Sequence, residues 1–264
     1  MTTDTRYAVL SDVHGNLPAL EATLAALAGQ RIDRYLCAGD LVGYGPFPNQ
    51  CVEVMASLPG VGIAGNHDLI ALGRLTDDRC TPSARRSLAW TRTVLTDATR
   101  DYLATLPERA AIDGVVLSHG SLDDPSEYVT QPGQADAQLA RLARDDPEAR
   151  ILVLGHTHRP WAYNTDSGTL LRQAPGTIAL EAGERYLVNP GSVGQSRDTS
   201  PDARFAVIDA GSGRVEFHSI RYDIEACRKA LRALGLPPDA CHYRAPARKR
   251  AKWALRRLVR RLGV

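Results

Sequence analysis

Five of the chain's seven histidines fall in four short polar pieces: Asp12-Val13-His14, Asn66-His67-Asp68, Ser118-His119-Gly120 and His156-Thr157-His158. A fifth piece, Gly39-Asp40, carries a carboxylate instead. Mixed carboxylate oxygen and imidazole nitrogen is a donor set that divalent first-row ions accept. On an extended loop, residues two apart point the same way, so Asp12 with His14, and His156 with His158, could chelate. Asp40 has two oxygens and can bridge two ions, while Asn66 offers a neutral carbonyl and His119 a further imidazole. Two ions held about 3.5–4 Å apart clamp a phosphate and share a hydroxide at neutral pH. Any one piece alone is better explained as turn capping. Seven such residues in one common setting are not.

That setting is the end of a strand. Apolar runs at 7–10, 35–37, 61–64, 115–117 and 151–154 each lead directly into one of the pieces. Side chains placed just after consecutive strands of an α/β sheet converge at one edge, where such folds bind ligands. The intervening sequence predicts helices over 17–28, with Asn16 as N-cap and Pro18 in the first turn, over 48–57 and over 134–144. Residues 68–113 read as polar and helical, with Trp90, Val94, Leu103 and Leu106 on their apolar faces. Beyond His158 the pattern turns to short strands at 161–163, 169–172, 177–180, 186–188, 205–209 and 215–220. Ala210-Gly211-Ser212-Gly213 then forms a hairpin turn.

Bulk properties fit a soluble enzyme. A chain of 264 residues, 44% of them hydrophobic, can bury a full core. Five scattered cysteines without a CxxC pair suit a reducing compartment. Neither a signal peptide nor an apolar run long enough to span a bilayer is visible, so a cytoplasmic location is expected. Nine of the 32 Lys and Arg lie between residues 244 and 261, where there is no Asp or Glu, so the remaining body is acidic. With Trp253, Leu255, Leu258, Val259 and Leu262 at helical spacing, this tail reads as a basic amphipathic helix. It either packs on the domain or contacts an anionic partner such as nucleic acid or an acidic membrane surface.

The ordered set Asp12-Val13-His14, Gly39-Asp40, Gly65-Asn66-His67-Asp68, His119 and Gly155-His156-Thr157-His158 resembles the calcineurin-like metallophosphoesterase family, and within it the small bacterial-type phosphodiesterase branch. Asn189-Pro190-Gly191-Ser192 is similar to the family's later motif. The resemblance implies an α/β fold, a four-layer αββα sandwich of two mixed β-sheets flanked by helices. It places the phosphoesterase domain at 1–222 and a helical basic extension at 223–264. By family pattern, Asp12, His14 and His158 would hold one ion, Asn66, His119 and His156 a second, and Asp40 would bridge them. Manganese or iron is favoured, with zinc, nickel, cobalt and magnesium also compatible. His67 would be the catalytic histidine, a role suited to a group titrating near neutrality. The implied reaction is phosphodiester hydrolysis by a metal-bridging hydroxide, with His67 assisting the leaving group. Phosphomonoesters or nucleotide pyrophosphates are the alternative phosphoester substrates on the same centre. A non-catalytic scaffold would show eroded ligands, and none is missing.

The chain also departs from relatives. Phosphoprotein phosphatases follow their Gly-Asp motif with Asp-Arg-Gly, whereas Gly43 and Tyr44 occupy those places here. The arginine that would clamp a phosphomonoester dianion is absent from that loop. Arg197, after the Asn189-to-Ser192 turn, is either a substitute cation or an ion-paired or solvent-facing residue. Tyr44 either lines the pocket or packs. Gly15 either lets backbone approach an ion or phosphate or simply turns the chain. The segment 69–113 is expected to overhang the site, and His218 and His242 to be structural.

Overall fold

In the computed structural model, residues 4–171, 175–197 and 199–242 are described. The first half alternates strand and helix: β1 (Arg6–Leu10), α1 (Leu17–Ala28), β2 (Arg34–Cys37), α2 (Pro48–Ala56), β3 (Gly60–Gly62), then α3 (Asn66–Ala71), α4 (Pro82–Val94) and α5 (Asp97–Thr105). Next come β4 (Arg109–Ile112), β5 (Val115–Ser118), α6 (Pro132–Asp145) and β6 (Ile151–Leu154). Short strands follow: β7 (Trp161–Asn164), β8 (Gly168–Leu171), β9 (Gly176–Ala179), β10 (Tyr186–Asn189), β11 (Ala203–Asp209) and β12 (Arg214–Ile220). Helix α7 (Ile224–Ala233) and a 3-10 turn at Pro238–Cys241 complete the described chain.

The strands form two six-stranded mixed sheets, ordered β3-β2-β1-β11-β12-β9 and β4-β5-β6-β10-β7-β8. Strands β1, β2 and β3 are mutually parallel, as are β5, β6 and β10. Strand alternation builds the layers. Tyr7 and Val9 join Leu36, Val115, Leu117, Ile151, Val153 and Val188 in the core between the sheets. Their neighbours Ala8 and Leu10 face the other way, against Leu20 and Leu27 of α1 and Cys51, Val52 and Met55 of α2. Across the second sheet, Val116, Leu152 and Leu187 meet Ala135, Leu139 and Leu142 of α6. The result is the expected four-layer αββα sandwich.

Helix starts follow local chemistry. Asn16 accepts from the Ala19 N–H and Pro18 enters the first turn of α1. Thr81 and Thr96 cap α4 and α5 in the same way. The polar helical reading of 68–113 misses one element. Strand β4 pairs antiparallel with β5 at a sheet edge, where Arg109 and two alanines carry little hydrophobic signal. The Ala206–Asp209 and Arg214–His218 hairpin is present, with Asp209 opposite Arg214. Among the described residues, no helix is long and apolar enough to cross a membrane. The basic amphipathic tail after His242 lies outside the described residues.

The inter-sheet core holds the strands whose ends carry the polar pieces, so its packing sets their positions. Leu36 is fully buried there. Leu36→Ala should cost about 2–5 kcal/mol through lost contact and cavity formation. Urea unfolding checks this, and a loss below 1 kcal/mol would contradict the packing.

Candidate functional site

The parallel strands of both sheets run the same way, and their C-terminal ends deliver the polar pieces to one place. Asp12 and His14 follow β1, Asp40 follows β2, Asn66 opens α3 after β3, His119 follows β5, and His156 and His158 follow β6. All seven are buried. Two groups of donor atoms close enough to share a cation result: Asp12, His14, Asp40 and His158, and Asp40, His119 and His156. Asp40 belongs to both. Asn66 Oδ1 lies 3.2 Å from His119 Nε2, beside the second group.

The loops are not extended, contrary to the sequence expectation. Asp12, His14, Asp40, Tyr44, His156 and His158 all have φ between 51° and 61°. Each left-handed residue costs on the order of 1 kcal/mol, somewhat less for Asp and His, while Tyr44 is a true outlier. The sum approaches the net stability of a domain, about 5–15 kcal/mol, so the surrounding structure must over-determine these turns. It does so with backbone bonds across loops: Asp12 N to Gly39 O (3.0 Å), His14 N to Asp40 O (2.9 Å) and Gly45 N to His14 O (2.8 Å). Asn189 donates to Gly155 O (2.6 Å) and Thr157 Oγ1 (3.0 Å), and Ser192 donates to Asp12 O (2.8 Å). The Asn189-to-Ser192 turn thus ties the β1 and β6 loops together. Gly15, at φ +60°, closely approaches the Gly45 backbone.

The imidazole orientations are fixed from behind. Nδ1 of His14, His119 and His158 contacts the carbonyls of Val42 (3.1 Å), Ala38 (2.6 Å) and Gln195 (2.7 Å). Each contact requires the proton on Nδ1, which turns Nε2 inward, as a lone pair wherever the ring is neutral. His14 Nε2 and His158 Nε2 then stand 3.1 Å apart, and Asp12 Oδ1 is 3.1 Å from His158 Nε2. Asp12 Oδ1, Asp40 Oδ2 and His156 Nε2 are buried without a hydrogen-bond partner. Lone pairs and carboxylate oxygens converging away from bulk solvent repel one another unless cations stand between them. Divalent cations fit this donor set; repacked neutral groups would not.

The chain belongs to the calcineurin-like phosphoesterase superfamily. Residues 6–213 match its domain. The chain is 33% identical over 236 residues to an uncharacterized protein of Methanocaldococcus jannaschii, covering 87% of this chain and 93% of that one. It is also similar to the crystal structure of a metallophosphoesterase from Sphaerobacter thermophilus, with 33% identity and a TM-score of 0.77 over 90% of this chain and 97% of that one. A hypothetical protein of Pyrococcus horikoshii, at 22% identity and a TM-score of 0.71 across 90% of this chain and 96% of that one, shares the fold. The protein is therefore a metallophosphoesterase with buried Asp/His clusters suited to a dimetal site.

Charge in the site is set by burial and by these neighbours. Burial alone would raise both carboxyls. The His158 imidazole, and then His119, hold Asp12 well below the usual carboxylate range. His119 and His67 do the same for Asp40. Burial works against a proton on His119, but the Asp40 charge beside it outweighs that and pushes His119 up to about 9. Burial lowers His67 to about 4 despite Asp40, so it is neutral at pH 7 and does not titrate near neutrality as its sequence suggested. Its Nδ1 is sealed without a partner beneath Gly43, where φ is +85° and a β-carbon would overlap the ring. Nε2 is the nitrogen left open to a cavity of about 680 Å³ that Asp40, Asn66, His156 and His158 also line. Tyr44 lines the same cavity and also packs, its ring centroid 4.8 Å from His14 and 4.7 Å from His67. Residues 76 and 79–84, from the α3–α4 connection and the first turn of α4, form another wall, as expected of the overhanging segment. His218 lies outside, stacked on Phe205.

Two residues escaped the sequence reading. Asp68 accepts from the N–H groups of Asp40 (2.8 Å), Val42 (3.1 Å) and Gly65 (3.0 Å), clamping the β2 loop to the start of α3. Burial, with the Asp40 charge behind it, pushes Asp68 up to about 7 against those donors. Its spacing from Gly65, the third residue of a helix, is the capping signal that could have exposed it. Tyr128, in the loop before α6, rests its ring 4.2 Å from that of His156. A lone tyrosine in a loop gives no such signal.

Two measurements follow from this geometry. Asp68→Asn keeps the shape but loses the triple acceptor, so cation affinity should fall about 10–100-fold in chelator competition. Unchanged affinity would remove Asp68 from the site's support. The His119 proton must leave when a cation takes Nε2, so below about pH 9 loading releases a proton and apparent affinity drops as pH falls. Calorimetry in buffers of different ionisation enthalpy should register that release at pH 7.5. Binding without it contradicts the assignment.

Proposed function

We propose that the protein hydrolyses phosphodiesters at a centre of two divalent ions. One ion would be held by Asp12, His14 and His158, the other by Asn66, His119 and His156, with Asp40 between them. The observation that carries this reading is the convergence of buried, unpartnered Asp12 Oδ1, Asp40 Oδ2 and His156 Nε2. Two such ions lower the pKa of water toward neutrality and neutralise charge on phosphoryl oxygens. Manganese or iron suits the nitrogen and oxygen donors. No thiolate joins them: Cys37, next to the Ala38 carbonyl that orients His119, is buried and pushed up to about 12.

The chain's own groups supply the rest. His67 is neutral, and a proton on Nε2 points into the cavity as a hydrogen-bond donor to the leaving-group oxygen. It stabilises developing negative charge there, a role in which a neutral imidazole outperforms an already discharged acid. Asp40 accepts from the His67 N–H (2.8 Å) and so fixes the start of α3 against the cage. Diester preference is supported by the β2 loop. Gly43 accommodates the His67 ring and Tyr44 packs on His14 and His67, where phosphoprotein phosphatases carry an arginine that would clamp a phosphomonoester dianion.

Turnover of bis-p-nitrophenyl phosphate should exceed that of p-nitrophenyl phosphate and of dinucleoside polyphosphates once stripped protein is reloaded with manganese. His67→Ala should retain both ions by elemental analysis and lose about 10²–10³ in kcat. A variant that lost its ions yet kept its rate per bound ion would reverse the roles.

A further inference from the structure

We propose that Arg197 binds the substrate's phosphoryl group beside the cage, and that the adjoining cavity accepts a single-phosphate ester with an uncharged organic substituent. The inference rests on the phosphoesterase reading and adds to it the missing phosphate-binding cation and a substrate class.

Arg197 reaches the cavity from the loop after β10, across the site from the β2 loop that lacks an arginine. Its Nη1 donates to Tyr128 Oη (2.9 Å) and lies 3.5 Å from the His156 carbonyl, and its Nε lies 3.4 Å from Gln195 Oε1. The guanidinium carbon is 5.9 Å from the Tyr128 ring centroid. These partners are neutral. They aim the group and fasten it to the backbone of a cage residue without cancelling its charge. Among the described residues no carboxylate pairs with it, and Nη2 donates to none. An arginine spending two of its three nitrogens on neutral scaffolding, with the third open to a cavity, matches what a phosphoryl oxygen needs.

The cavity's charge count sets the substrate class. Arg79 is its other cationic wall residue, but Arg79 Nη1 is 2.5 Å from Asp124 Oδ2 and Nη2 donates to Ser126 O at 2.9 Å. Asp239 adds a negative charge to the wall. A polyphosphate chain would find no second free cation among the described residues. The remaining wall includes Tyr44, Ile70, Pro82, Ala84 and Ala240, and the half-exposed ring of Tyr128. About 680 Å³ lined in this way has room for a substituent the size of an aromatic group.

The test is calorimetric binding of orthophosphate and of diphenyl phosphate to the manganese-loaded full chain, which needs no turnover. Arg197→Ala should weaken both by at least about tenfold at unchanged manganese content. Arg197→Lys should recover part of the loss by restoring a charge without the fork. Tyr128→Phe, which removes the oxygen that holds Nη1, should fall between. In steady state, KM for bis-p-nitrophenyl phosphate should rise in Arg197→Ala more than kcat falls. Orthophosphate affinity within twofold of wild type in Arg197→Ala, or no phosphate binding by the wild type, overturns the role of Arg197. Diphenyl phosphate that fails to bind where orthophosphate binds overturns the substrate class. Absent turnover on every phosphoester, with the Arg197-dependent binding intact, would sink the diesterase reading and leave this assignment standing.

Discussion

Two carboxylates and four imidazoles are driven into one buried cluster, and the rest of the site answers to that confinement. Asp12 and Asp40 have almost no exposure to water. Three of the imidazoles donate Nδ1 protons to backbone carbonyls, so their second nitrogens face the carboxylates. Folding alone would not tolerate such a gathering, because buried charge without compensation costs several kcal/mol per ion. In the ion-free protein a proton on His119 offsets part of that charge. Divalent cations held there would replace that proton and turn mutual repulsion into coordination, which would couple metal binding to proton release.

The fold earns this arrangement through direction and tethering. Parallel strands β1 to β3 in one sheet, and β5 and β6 in the other, end at a common edge. Left-handed turns then swing the side chains inward. Strain in those turns is held by bonds between loops rather than within them: Asp68 clamps the β2 loop to α3, and Asn189 and Ser192 clamp the β6 and β1 loops. A cage built in this way is rigid on the metal side. The outer wall of the cavity comes from the α3–α4 connection, the first turn of α4 and the Tyr128 loop.

Much of this was legible in the sequence because its signals are local. The strand-then-ligand pattern marked Asp12, His14, Asp40, Asn66, His119, His156 and His158, and the structure brings all seven together. Asn16 and Pro18 announced α1 at its observed boundaries. What stayed hidden depends on three-dimensional neighbours. Strand β4 is short and weakly apolar, and it exists because β5 offers a partner. The left-handed loops replace the expected extended ones because cross-loop bonds outweigh the local preference. The near-neutral titration expected of His67 disappears under burial that no single stretch of sequence reveals. Asp68 and Tyr128 act on loops far away in the chain, so only the fold discloses their partners.

The claim that the buried Asp/His cluster is a two-cation cage is tested most directly by anomalous diffraction from crystals grown with manganese. The account predicts two anomalous peaks about 3.5–4 Å apart with Asp40 between them, one beside His14 and His158 and the other beside His119 and His156. No peak, or a single peak away from Asp40, would contradict it.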